Sequence, residues 1–218
     1  MSLCYSCLSQ HSKAMYLEDL MCAIEKVESI YYKWYLHKIS TNVKQSEEIR
    51  ICHCESVFAY ELYHQIRKIM ESDPPLQRYE GVYLNGEAIK DDRFFTDLYE
   101  GLSKISTEFS DSENNKRVPD LVLHKDLGST EKEGQIYLAE IKLGENKDAL
   151  KDLTKLTLLQ KSKLNFDFYI FIYVGKTIEE LKSEIDNIDT SLLSKDIVCI
   201  CTKFQEAKCM TLGEIIES

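Results

Sequence analysis

The stretch Phe166 to Val174, FDFYIFIYV, constrains this chain more than any other. It is aromatic and aliphatic almost throughout, and far too short to cross a bilayer. Read as a strand, it presents apolar side chains to both faces, as strands do when layers cover a sheet on either side. Gln135 to Leu143 (QIYLAEIKL) reads in the same way. A central sheet buried on both faces implies an α/β fold with helices packed on each side.

The rest of the pattern supplies those layers. Apolar residues recur at helical spacing from about Ala14 to Ile39, and a second helix is expected from about Lys44 to Glu71, ended by Asp73-Pro74-Pro75. Tyr79 to Leu84 reads as a strand, Asn85-Gly86 as a hairpin turn, Phe94 to Leu102 as a short helix and Ser110 to Lys116 as a loop. Then come a strand over Val118 to His124, a turn over Asp126 to Gly134 and the strand Gln135 to Leu143. A helix over Asn146 to Lys163, the Phe166 to Val174 strand, a helix over Thr177 to Ile188, a strand over Ile197 to Thr202 and a last helical turn over Thr211 to Glu217 complete the order. The expected architecture is a mixed central β-sheet flanked by helices. The 218 residues divide into an N-terminal helical extension, 1–43, and an α/β domain, 44–218.

Two charges interrupt the QIYLAEIKL strand. Glu140 and Lys142 fall on one face with Ile136 and Leu138, while Tyr137, Ala139, Ile141 and Leu143 fall on the other. Charges on a strand apolar on both sides need a partner or a task. On the preceding strand Asp120 shares a face with Val118 and Val122, and hairpin pairing would bring it close to Glu140. Two carboxylates on adjacent strands suit a hard divalent cation, and a lysine beside them suits charge building on a phosphate. The plainer reading is a same-face ion pair near a strand end, with Asp120 as a turn residue after Pro119.

Pro119-Asp120 followed by Glu140-Ile141-Lys142 across a short hairpin resembles the PD-(D/E)XK nuclease superfamily, the restriction-endonuclease-like fold. The resemblance covers about Arg50 to Thr202. It implies a metal-dependent phosphodiester hydrolase, a DNA endonuclease, in which Asp120 and Glu140 bind Mg2+ (or Mn2+) together with the backbone carbonyl of Ile141. It implies Lys142 as the catalytic lysine and an additional glutamate from the first core helix. Glu55 lies within the apolar stripe of Ile51, Phe58, Leu62, Ile66 and Ile69, and Glu61 at its edge, which favours Glu55.

Charge argues against that substrate. The formal net charge is −10, from 27 Lys and Arg against 37 Asp and Glu. DNA affinity rests largely on neutralising phosphates. A nuclease-like fold kept as a non-catalytic module for nucleic-acid or protein binding is therefore the second reading, with the N-terminal helices as a homodimer or partner surface. Tyr31 to Tyr35 (YYKWY) could stack bases or pack a helix. Lys151, Lys155, Lys161 and Lys163 could meet phosphates or form a solvated helix face, and His64 and His124 read as surface or boundary residues.

Eight cysteines in a chain this long fit free thiols in a reducing compartment better than a disulfide framework. Cys199 and Cys201 share one strand face, and Cys52 and Cys54 fall in the second helix. Cys4, Cys7, His11 and Cys22 could supply four zinc ligands, though without the two spaced pairs usual for zinc. Neither a membrane span nor a secretory leader is expected, which makes a cytoplasmic setting the default.

Overall fold

The computed structural model describes residues 5–28, 33–36, 50–53, 55–73, 77–86, 119–125, 135–144, 149–161, 165–186, 189–203 and 206–218. Its centre is the strand pair foreseen from hydrophobicity. Strand β5 (Gln135–Leu143) and strand β6 (Phe168–Val174) run parallel and in register from Tyr137↔Phe168 to Leu143↔Val174. The next strand, β7 (Val198–Lys203), is parallel to β6. Three antiparallel pairings complete the sheet: β3 (Val82–Gly86) on β4 (Leu121–Lys125), β4 on β5, and β8 (Glu206–Thr211) on β7. The six strands stand in chain order, β3-β4-β5-β6-β7-β8.

Alternation along the strands divides the core into two layers. Tyr137, Ala139, Ile141 and Leu143 of β5, Ile170, Ile172 and Val174 of β6, and Val198 and Ile200 of β7 fill one layer. Helix α1 (Tyr5–Glu25) and helix α2 (Glu55–Glu71) cover it through Leu20, Ala23, Ile24, Phe58, Leu62 and Ile66. The opposite layer holds Leu138, Tyr169, Phe171, Tyr173, Cys199 and Cys201 under helix α3 (Ala149–Lys161), helix α4 (Ile178–Ile185) and helix α5 (Leu212–Glu217). Thr177–Glu180 and Thr211–Glu214 form capping boxes that start α4 and α5. Gly175 makes the turn out of β6 at φ +81, a backbone region that disfavours other residues, and its amide donates to Thr202 O at 2.7 Å.

Several expectations are corrected. The first helix ends at Glu25 rather than Ile39, and Lys33–Leu36 is a strand, β1, paired antiparallel with β2 (Arg50–His53). The aromatic residues Trp34 and Tyr35 favour the extended backbone there. The second helix accordingly starts at Glu55, and Cys52 lies in a strand. Asn85 and Gly86 form no two-residue hairpin, because both pair with β4, opposite Val122 and Leu121. Strand β8 was not foreseen. Ile136 joins the α1/α2 layer rather than the face of Glu140, because the β4/β5 register shifts between Leu123 and His124. Phe94 to Leu102, Ser110 to Lys116, Asp126 to Gly134 and Cys54 lie outside the described residues. Among the described residues no helix is long and apolar enough to cross a membrane.

A polar cluster anchors α1 to the segment before β3. The Arg78 guanidinium donates to both oxygens of buried Asp73, at 3.0 and 3.1 Å, and lies 3.1 Å from Asp19 Oδ2. Tyr79 donates to Asp19 at 2.7 Å, and Tyr16 donates to Arg78 O at 2.7 Å. Replacing Arg78 by Met leaves buried Asp73 with only the 3.3 Å bond from the residue-78 backbone N–H, at a cost of about 1–3 kcal/mol. The expected readout is a lower denaturant midpoint with an unchanged slope.

Candidate active site

The charged residues of β5 lie on the α3 side of the sheet, where Leu138, Glu140 and Lys142 alternate with the α1/α2-facing residues. Asp120 immediately precedes β4. Its amide donates to Ala139 O at 3.1 Å, and its Oδ2 accepts from Ile141 N at 2.7 Å. Asp120 therefore brackets Glu140 through the residues on either side of it. The backbone carbonyl of Ile141 leaves the strand on the same edge as its N–H, toward Asp120.

Glu140 is buried, 3% exposed, beside Phe171 of β6 and beneath α3. Burial raises its carboxyl to about 8; the Lys155 ammonium opposes that shift and nearby Asp120 adds to it. Lys155 Nζ lies 2.6 Å from Glu140 Oε1. Lys142 Nζ lies 3.4 Å from Asp152 Oδ2 and 4.0 Å from Glu55 Oε2. Glu55, at the start of α2, also accepts from Leu143 N at 3.3 Å. It thereby reaches the carboxyl end of β5 from the far side of the sheet. Glu61 instead accepts from Gln65 one helical turn on, at 2.6 Å.

The four residues singled out from sequence, Glu55, Asp120, Glu140 and Lys142, thus meet at one end of β5, with Ile141 between two of them. Sequence reasoning missed Asp152, and it left Lys155 as a residue of a solvated helix face. Lys151 and Lys161 are exposed as that reading requires, whereas Lys155 turns inward with Asp152. The signal was their spacing: three residues apart on a helix, flanking the buried Leu153.

Other candidates lie elsewhere. His64 is exposed. His124 is buried, against expectation: its Nδ1–H donates to Lys125 O at 2.7 Å, its Nε2 accepts from Asn85 at 2.8 Å, and Tyr83 stacks on it. Cys199 and Cys201 are buried free thiols, and Cys22 is free and exposed. Cys4 and the side chains of Cys7 and His11 lie outside the described residues, as do Tyr31, Tyr32 and Lys163.

Among the described residues no three His, Cys, Asp or Glu side chains stand as a metal-binding group. A cation here would rest on the Asp120 and Glu140 carboxylates and the Ile141 carbonyl, with water or substrate oxygens completing its shell. That sparse, all-oxygen donor set fits Mg2+, which commonly takes one or two carboxylates and keeps several waters. Comparison of the chain with protein-family models, curated proteins and solved structures returns no match.

Proposed function

We propose that this chain is a divalent-metal-dependent phosphodiester hydrolase, a DNA endonuclease of the restriction-endonuclease-like kind. The observation that carries the reading is the bracketing of Glu140 by Asp120, on the sheet face that Lys142 shares. Glu55, reaching the same end of β5 from α2, adds the helix glutamate that the sequence resemblance implies.

Bound at Asp120, Glu140 and the Ile141 carbonyl, Mg2+ would lower the pKa of an attacking water and offset charge developing on the phosphate. Lys142 supplies an ammonium beside the scissile position, held toward the site by Asp152 and Glu55, to orient that water or meet the phosphate oxygens. The covering helix α3 keeps Glu140 dry, which strengthens every charge interaction around it.

Incubating plasmid and linear DNA with purified protein and Mg2+ or Mn2+ tests this. Metal-dependent cleavage is expected, and Glu140→Ala should abolish it. Cleavage that persists in Glu140→Ala would assign the activity to another site. The second reading is a non-catalytic binding module. Two observations favour it: Glu140 is already engaged by Lys155, and the chain carries a net charge of −10. Absence of cleavage of any DNA or RNA, together with absence of metal binding by calorimetry, would establish it.

A further inference from the structure

Helix α3 contributes two charged side chains to the sheet face, and each meets one of the two charged residues of β5. Lys155 meets Glu140 Oε1 at 2.6 Å, and Asp152 meets Lys142 at 3.4 Å. Both helix residues are mostly buried, with side chains 16% exposed. The pairing is crossed in charge. The strand offers an acid and then a base two residues on, and the helix offers an acid and then a base three residues on. Antiparallel charge order across the layer sets each opposite its complement.

From this geometry we propose that Asp152 and Lys155 are positioning residues of the site: Lys155 holds the Glu140 carboxylate in place, and Asp152 holds the Lys142 ammonium. The inference rests on the metal-site reading above. Glu140 has two oxygens, and the ammonium contacts one of them, Oε1. A cation bound at the second oxygen would not require Lys155 to leave. Among the described residues, Glu55 and Asp120 lie beside these two crossed pairs, so the helix contacts frame both charged residues of β5 at the same end of the strand. Partners one layer behind a metal ligand fix its orientation, and losing one commonly weakens metal binding by roughly 10–100-fold.

The experiment is Mg2+ titration by calorimetry on the full chain, with DNA cleavage measured in parallel. Lys155→Met should weaken Mg2+ binding at least roughly tenfold, and Lys155→Arg should restore most of it. Asp152→Asn should weaken Mg2+ binding less than Lys155→Met does, while lowering kcat with little change in KM, because it disturbs the lysine and contacts neither ligand. A fourth measurement uses the unsubstituted protein. Acetylation of Lys155 by acetic anhydride, followed by peptide mass spectrometry against exposed Lys151 and Lys161, should stay slow when Mg2+ is added. Mg2+ binding by Lys155→Met as tight as the parent's would overturn the proposal, as would faster Lys155 labelling with Mg2+ bound. A parent protein that binds no Mg2+ and cuts no DNA would remove the metal-site reading, and this inference with it.

Discussion

Replacing Lys142 by alanine should slow Mg2+-dependent DNA cleavage roughly 10²–10³-fold, the usual range for losing one group that stabilises transition-state charge. The fold should survive at a cost in stability, because Lys142 lies at the end of β5 and Glu55 keeps access to water, while the buried Oδ2 of Asp152 loses its ammonium. Mg2+ should bind at least as tightly as in the parent, since a positive charge beside the cation has been removed. Activity and metal affinity would then move in opposite directions. Single-turnover cleavage and calorimetry on the same preparation measure both. Cleavage at the parent's rate would exclude Lys142 from the reaction.

The second large effect is on pH. Glu140 titrates near 8 in the folded protein, far above an ordinary glutamate, chiefly because it is buried. Between the ordinary carboxylate range and about 8 the folded state therefore holds a proton that the unfolded state has lost. Stability of the metal-free protein contributed by this group is fully present below the ordinary glutamate pKa and declines as pH rises through about 8. Cation binding has the opposite sign, because the ligand must give up that proton. Mg2+ affinity should climb roughly tenfold per pH unit below that value and level off above it. Melting curves with and without Mg2+ across this range test both trends together. Glu140→Gln should flatten the stability profile and abolish the Mg2+ effect. A parent protein whose Mg2+ affinity ignores pH would show that the cation does not bind at Glu140.

How much of this was legible in the sequence depended on whether one strand or two elements decided the outcome. Gln135–Leu143 was read to the residue, and Phe168–Val174 within two residues, because alternation on a sheet buried on both faces leaves few other readings. Glu140 and Lys142 stood out for the same reason: they break an apolar pattern. Asp120 rested on an assumed pairing, and the structure supplies it through bonds to Ala139 and Ile141. Ile136 was placed on the wrong face because a register shift changes alternation without leaving a mark on the strand's own residues. Asp152 was overlooked and Lys155 assigned to a solvated face or phosphate contact, because charges between leucines on a helix resemble a solvated face. Only the packing of α3 on β5 shows which way they turn. The N-terminal helix was drawn too long because Val27 and Ile30 continue its spacing by chance. Strand β8 was missed because a partly exposed edge strand carrying Glu206 and Lys208 has little hydrophobic signature.

Helix α1 has a bearing on how the chain reaches its fold. Its residues Leu20, Ala23 and Ile24 close the same layer as Val198 and Ile200 of β7, which lie far along the sequence. Contacts of such long sequence separation slow folding and leave partly built states with sticky surface. Loss of β7 and β8 would thus be felt at α1, on which their layer closes, although the two are remote in sequence.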